Sequence, residues 1–338
     1  MANTTIYDVA GAAKVSLATV SRVMNNPEKV NAQTREKVLQ VIKELGYRPN
    51  AIARGLASRK TTTVGIVMAD VSRASTAQLL GGIIDIAKKY EYSIKIFSIG
   101  ADEDIQNAMR IVVAEQVDGI LFLNDELDKE QMKLAIDFVK ESMVPIVLSN
   151  VIYEDEDIPS VAIDYESATY DITKKMLANG RKNVYLLSTV RRYSINGKKE
   201  AGYLDAMKEA GLEPRIFRTS GDVSINQLHF TEFFKSNQID AALAVRDSIA
   251  ISFMNVAIEN NRAIPQDIDV VGLQNTKYAI LSRPNLTCVD TPVYDIGAVS
   301  MRLLTKIMKQ EEVKDNKEEV KDNKILLPYR IVKRGSTK

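Results

Sequence analysis

The sequence predicts an all-α helix-turn-helix head joined by a short hinge to an α/β core of two parallel-sheet lobes. Three observations lead there. Residues 5–25 carry two short helical patterns separated by a tight turn. The first 60 residues hold ten Lys/Arg against four Asp/Glu, a surplus of +6 in a chain whose total is +1, so the remainder carries −5. From Thr61 onward, short apolar runs alternate with longer amphipathic ones in two successive blocks, which is the pattern of βα repetition.

In the head, Thr5 is placed to cap a first helix, with Asp8 three residues on to reach back as a capping box. Val9, Ala10 and Ala13 give that helix its apolar face. Ser16 caps a second helix. On it Val20, Val23 and Met24 fall on one side, and Leu17, Ala18, Ser21 and Arg22 on the other. The outward group is short or flexible, carries one cation and sits near a helix N-terminus. Such a helix fits the DNA major groove, whose floor presents hydrogen-bonding edges and thymine methyls. The two patterns alone also suit a ligand-free helical hairpin, and the basic surplus turns the reading further toward nucleic acid. Asn31 to Leu45 form a third helix on the repeat of Thr34, Arg35, Val38, Val41, Ile42 and Leu45, and Gly46 ends it. Pro49 to Leu56 is short, contains Gly55 and makes a poor isolated helix, so it reads as a linker or a hinge.

Residues 5–25, followed by Tyr47-Arg48-Pro49-Asn50-Ala51-Ile52-Ala53-Arg54-Gly55-Leu56-Ala57, resemble the DNA-binding head of the lactose-repressor (LacI/GalR) family. That resemblance implies a regulator of transcription that binds a palindromic double-stranded operator as a homodimer. It implies that Leu17, Ala18 and Arg22 read bases, while Tyr7, Ser16, Thr19, Ser21 and Asn25 hold the DNA backbone. It also implies a hinge over 48–60 that becomes helical on DNA, with Asn50, Ala53 and Leu56 as DNA-binding residues and Leu56 as a wedge between base pairs in the minor groove. Lys14 departs from the pattern, standing where many members have Gly, so the turn must avoid positive φ or strain a lysine.

Composition narrows the function classes. At 338 residues the chain is long for one core. Its 45% hydrophobic and 26% charged residues are those of a soluble globular protein. No apolar run approaches the ~18 residues that span a bilayer, and the first helix starts too early for a signal peptide, so the cytoplasm is expected. The single cysteine, Cys288, reads as a small buried hydrophobe. The single histidine, His229, has no ligand partners in reach, so neither a zinc site nor a His-based triad is expected. Without a Walker loop or a G-x-G-x-x-G element, no cofactor is expected and the enzyme reading is weak.

The first block of the core predicts strands at Val64–Met68, Ile94–Phe97, Gly119–Leu123 and Ile146–Leu148, with helices at Gln78–Tyr90, Asp102–Glu115 and Lys129–Ser142. The second predicts strands at Val161–Ile163, Val184–Ser188, Ile216–Arg218, Ala241–Val245 and Val270–Gly272, with helices at Glu166–Asn179, Lys198–Ala210, Ser224–Lys235 and Ser248–Asn260. These blocks resemble the periplasmic-binding-protein-like core of the same family, in which the chain crosses between lobes three times. The crossings are placed near Val161, Asp290-Thr291 and Asn323. The resulting division is a head at 1–47, a hinge at 48–60 and a core at 61–338. One lobe takes about 61–161 plus 291–322, the other about 162–289 plus 323–338. Glu311–Lys317 recurs letter for letter as Glu318–Lys324, and with no apolar face it reads as a duplication in a solvated segment.

Sugar-sensing members of the family hold a ligand between the lobes through an Arg, an Asn and an Asp. Here Lys199, Arg246 and Gln274 stand at those positions, and the loop Asp70–Ser75 lacks the aromatic that often stacks on a sugar. The changes argue against a tight neutral-sugar effector. They leave two readings, an anionic metabolite held by the cations or a cleft that has lost its ligand. Further on, Tyr294 to Lys306 predicts a helix with Ile296, Val299, Leu303 and Ile307 on one face and Arg302, Thr305, Lys306 and Lys309 on another. By itself this is a solvated basic face. The string resembles a branch of the family in which this helix binds the phosphocarrier protein HPr phosphorylated on serine, implying Tyr294, Asp295, Met301, Arg302 and Lys306 as docking residues. Arg302 and Lys306 would pair with the phosphoserine. The function expected is therefore control of carbon catabolite genes, with operator binding enhanced by phosphorylated HPr. The alternatives are control by a small phosphorylated or acidic metabolite in the cleft and, from another class, a solute-binding protein with an unrelated basic head.

Overall fold

The computed structural model describes residues 4–47 and 61–338, apart from Ala101, Asn124, Ile152, Asp155, Glu156, Arg192 and residues 313–322. The side chains of Asn25 and of Gln310, Glu311 and Glu312 are also outside the description. The chain divides into two compact units, Met1–Thr61 and Thr62–Lys338.

The first unit holds α1 (Ile6–Ala13), α2 (Leu17–Asn25) and α3 (Ala32–Glu44). The expected capping box is present: Thr5 Oγ1 accepts from the Asp8 N–H, and Asp8 Oδ2 accepts from the Thr5 N–H at 2.8 Å. The Thr5 backbone N–H, then its hydroxyl, holds the Asp8 carboxyl below the usual carboxylate range. Ser16 Oγ caps α2 by accepting from the Thr19 N–H at 3.2 Å, and Asn31 caps α3 through the Gln33 N–H at 2.8 Å. Val9, Ala10, Ala13, Val20, Val23 and Val38 form the small core that these caps orient. The turn between α1 and α2 is closed by Lys14 at φ +52° and ψ +46°, the left-handed region. Of the two ways out that the sequence left, the chain takes the strained one, at a cost of about 1–2 kcal/mol for a residue with a Cβ.

The second unit is built on two six-stranded sheets. The first lobe runs β1 (Thr63–Met68), α4 (Ala74–Lys89), β2 (Ser93–Ser98), α5 (Ile105–Ala114), β3 (Gly119–Phe122), α6 (Lys129–Glu141), β4 (Ile146–Ser149) and β5 (Ser160–Ile163). The second runs α7 (Tyr165–Ala178), β6 (Val184–Thr189), α8 (Ser194–Glu209), β7 (Arg215–Thr219), α9 (Val223–Ser236), β8 (Ala241–Ala244), α10 (Asp247–Glu259), β9 (Asp269–Gly272), α11 (Lys277–Leu281) and β10 (Thr287–Asp290). The chain ends with α12 (Val293–Glu312), β11 (Lys324–Leu327) and β12 (Arg330–Val332). Sheet orders are β11-β5-β4-β3-β1-β2 and β12-β10-β9-β8-β6-β7. Every pair is parallel except β10–β12. The central strands β3, β4, β8 and β9 are fully buried and mostly apolar, as helices on both faces require.

Two predicted crossings move. Val161–Ile163, expected in the second sheet, lies in the first, because β5 fills the slot between β4 and β11. The chain leaves this lobe only after Ile163, where Asp164 caps α7. Lys324–Leu327, also expected in the second lobe, pairs with β5 as the edge of the first sheet. Pro328 then removes a backbone donor and ends the strand, so only β12 enters the second sheet. Cys288 is buried in β10, and His229 is exposed with Nδ1 3.1 Å from Thr219 Oγ1.

One helix pair in each lobe crosses through glycine. A Cβ on Gly82 of α4 would lie 2.0 Å from the Tyr294 carbonyl oxygen of α12, and one on Gly297 would lie 2.1 Å from the Leu79 carbonyl oxygen. In the second lobe, a Cβ on Gly202 of α8 would meet the Glu166 carbonyl oxygen at 2.0 Å. Backbones this close leave no room for a side chain, so each pair is packed backbone to backbone.

Candidate functional site

The head presents its predicted reading face to solvent. Tyr7 is 68% exposed and Leu17 37%, Ala18 and Arg22 are exposed, and Ser21 is half-buried. Ser16 Oγ and Thr19 Oγ1 are 2.9 Å apart at the start of α2, so two of the predicted backbone contacts form one polar step. Asn25 closes α2. Asn50, Ala53 and Leu56, with the rest of the hinge at 48–60, lie outside the described residues.

In the core, a cavity of about 690 Å³ lies between the lobes, and Lys199, Arg246 and Gln274 all line it. Their states differ from the simple expectation of free cations. Lys199, 3% exposed, donates from Nζ to the Val245 carbonyl at 2.9 Å and lies 5.2 Å from the centre of the Tyr165 ring. Burial first, then the nearby Arg246 charge, brings its ammonium down to about 7. Arg246 precedes α10 and sits 5.3 Å from the Tyr193 ring centre. Gln274 donates to Ser75 Oγ at 3.5 Å across the lobes, a weak link. Behind them Asp247 is fully buried, takes bonds from the Thr276 N–H and hydroxyl, and is pushed above the usual carboxylate range by burial.

Sequence reasoning missed two cleft residues. Arg73, just before α4, reaches 6.0 Å from the same Tyr193 ring and binds Asp125 at 3.1 Å, Asp70 at 3.6 Å and Glu126. Tyr193 supplies from the second lobe the aromatic that the Asp70–Ser75 loop lacks. The two meet across about 120 residues of chain, a pairing that no local pattern encodes.

The third candidate is the outer face of α12. Tyr294 is 46% exposed and donates to Asp85 Oδ2 at 2.6 Å, and Asp295 is exposed beside it. Arg302 and Lys306 are exposed one turn apart and make no ion pair among the described residues. Lys309 sits 5.0 Å from the Tyr90 ring centre. Two expectations fail here. Met301, expected on the docking face, is fully buried and packs inside the lobe. Thr305, placed on the basic face, is buried with its hydroxyl donating to the Met301 carbonyl at 2.8 Å. The apolar repeat through Gly297, Met301, Leu304 and Met308 carried that signal.

A three-helix head with an exposed face on its second helix, followed by two α/β lobes around a cleft, is the architecture of a DNA-binding regulator with a two-lobed core. The chain belongs to the lacI family of bacterial regulatory proteins. Residues 5–50 match the model of that family, and residues 61–333 match that of the periplasmic binding proteins and sugar binding domain of the LacI family. Among its relatives is catabolite control protein A of Priestia megaterium, 41% identical over 342 residues that cover 99% of this chain and 100% of that protein. The Staphylococcus xylosus protein of the same name is 39% identical over 99% of both. The crystal structure of the transcription regulator CcpA of Lactococcus lactis superposes with a TM-score of 0.69 at 28% identity, covering 82% of this chain and 99% of that one. The fold also matches the Lac repressor dimer bound to operator and an anti-inducer, with a TM-score of 0.88 at 23% identity over 99% of both chains. This protein is thus a DNA-binding transcription regulator resembling catabolite control protein A. The reading as a solute-binding protein with an unrelated head falls, because the head itself matches the lacI family. No described helix is long and apolar enough to cross a membrane, and no described cluster of His, Cys, Asp or Glu suits a metal ion.

Proposed function

We propose that this regulator binds a palindromic operator as a homodimer and that serine-phosphorylated HPr, docked on α12, enhances that binding. The observation that carries the reading is the pair Arg302 and Lys306, exposed one turn apart on α12 with no ion pair among the described residues. A phosphoserine brings about −1.5 to −2 charges and three acceptor oxygens, which such a pair discriminates from a plain serine. Tyr294 and Asp295 flank the same face. The relatives named catabolite control protein A support the gene class, that of carbon catabolite control. The Lac repressor neighbour is a dimer on operator DNA. Here Val223 and Leu228 on α9, and Ile280 and Leu281 on α11, are each more than half exposed, as apolar side chains covered by a second copy would be.

In this reading Leu17, Ala18 and Arg22 meet base edges, with Arg22 bidentate to a guanine. Tyr7, Ser16, Thr19, Ser21 and Asn25 hold phosphates. The hinge over 48–60 binds DNA through Asn50, Ala53 and Leu56, with Leu56 as the wedge in the minor groove. The test is operator affinity with and without phosphorylated HPr, for the parent and for Arg302→Glu. The parent should tighten by roughly 5–150-fold, the usual range of allosteric coupling, and the mutant should not respond. No response in the parent, or an equal response to unmodified HPr, sinks the proposal. A second reading, an anionic metabolite in the cleft, draws on Arg246, which makes no ion pair among the described residues.

A further inference from the structure

We propose that Lys14 is a phosphate anchor of the head, kept in a left-handed turn because its charge there strengthens binding to any duplex. The inference rests on the family's DNA-binding role and goes beyond the contacts assigned above. At Lys14 the backbone is at φ +52° and ψ +46°, and its N–H donates to the Gly11 carbonyl at 3.2 Å to end α1. Glycine meets that backbone requirement without strain, and asparagine meets it with little. Among the described non-glycine residues at positive φ, namely Lys14, Thr62, Glu91, Gln116, Met143, Asn150, Asn261 and Asn275, Lys14 is the one cation.

Nothing within the head accounts for the lysine. Its side chain is exposed, and it makes no hydrogen bond or ion pair among the described residues. Packing therefore does not select it. Its position does: it stands two residues before Ser16, the cap of α2, where the unpaired N–H groups of the first turn already favour an anion. A flexible ammonium at that entrance adds a sequence-independent attraction to a phosphate. Such a contact shows itself in the salt dependence of binding, because each neutralised phosphate releases counterions.

The experiment measures the full chain on a random-sequence duplex, which needs no knowledge of the operator, over a range of salt. Parent, Lys14→Gly, Lys14→Asn and Lys14→Arg are compared, with thermal melting recorded alongside. Lys14→Gly and Lys14→Asn should lower the steepness of log affinity against log salt by about 0.9 per head and weaken low-salt binding about threefold to tenfold. Lys14→Gly should melt a few degrees higher, since it relieves the turn. Lys14→Arg should keep the parent's slope. A glycine variant with unchanged slope and affinity overturns the proposal, as does an arginine variant that loses the same slope. A parent that binds no duplex at all would instead contradict the DNA-binding role itself.

Discussion

The cleft and the outer face of α12 both carry cations, yet two of the cleft's, Lys199 and Arg73, are in the opposite state to those on α12. In the cleft, Lys199 is spent on a backbone carbonyl and an aromatic ring, and Arg73 on three carboxylates of its own lobe. On α12, Arg302 and Lys306 face water without an ion pair among the described residues. A cation already satisfied inside the fold must break bonds to receive an anion, and a buried one does so at high cost. A solvated pair on a helix held by a glycine crossing loses little on meeting a dianion. The difference teaches that counting charges around a pocket overstates its readiness for an anion unless their existing partners are counted too.

The strongest way to break this comparison is to move charge. Arg302→Glu should remove the whole response to phosphorylated HPr, roughly 5–150-fold in operator affinity, whereas Arg246→Ala should leave that response intact. Operator binding titrations on both variants decide it, and the reverse result would hand control to the cleft. Next comes the support beneath the helix. Gly82→Ala forces a Cβ onto the Tyr294 carbonyl, and should lower stability by about 1–3 kcal/mol in a denaturant titration while blunting the response. Gly202→Ala should cost a similar amount through the Glu166 carbonyl but spare the response, because its crossing lies in the other lobe.

A smaller effect reports on the cleft. Lys199 in the folded chain releases its proton near 7, against 10.5 for a free lysine. Between those values the unfolded chain binds the extra proton, so stability should rise with pH, by at most ~1.4 kcal/mol per unit from this group, and be flat below the window. Lys199→Met should flatten that rise relative to the parent, as read from denaturant midpoints at pH 6 to 9. Smallest of all, Arg246→Ala should change stability by no more than about 1 kcal/mol, since its side chain is half-exposed and makes no ion pair among the described residues.

What the sequence disclosed follows the range of the interactions. Thr5 with Asp8, Ser16 with Thr19 and Asn31 with Gln33 are contacts within three residues, and each cap was legible from residue types alone. The apolar runs of the core strands were legible for the same reason. The sheet that β5 and β11 join was not, because Ser160 pairs with Lys324 across 164 positions, and an apolar run does not name its neighbour. On α12 the helix was legible and its buried side was drawn too narrow: the repeat through Ile296, Val299, Leu303 and Ile307 left out Met301, which is fully buried. The Arg73–Tyr193 contact depends on how the two lobes meet, which is a property of the finished fold.

The late crossings also bear on how the chain is made. The first lobe begins at β1, yet it obtains α12 and its edge strand β11 only from residues 293–327, after nearly all of the second lobe has been synthesised. The second sheet in turn waits for β12 at 330–332. Until α12 emerges from the ribosome, the apolar sides of α4, β3 and β4 have no cover, because those are the elements it packs against. At synthesis rates of about 5–20 residues per second, that surface stays open for on the order of ten seconds. The basic face proposed to receive the partner is therefore also the outer side of the piece that seals the nascent lobe.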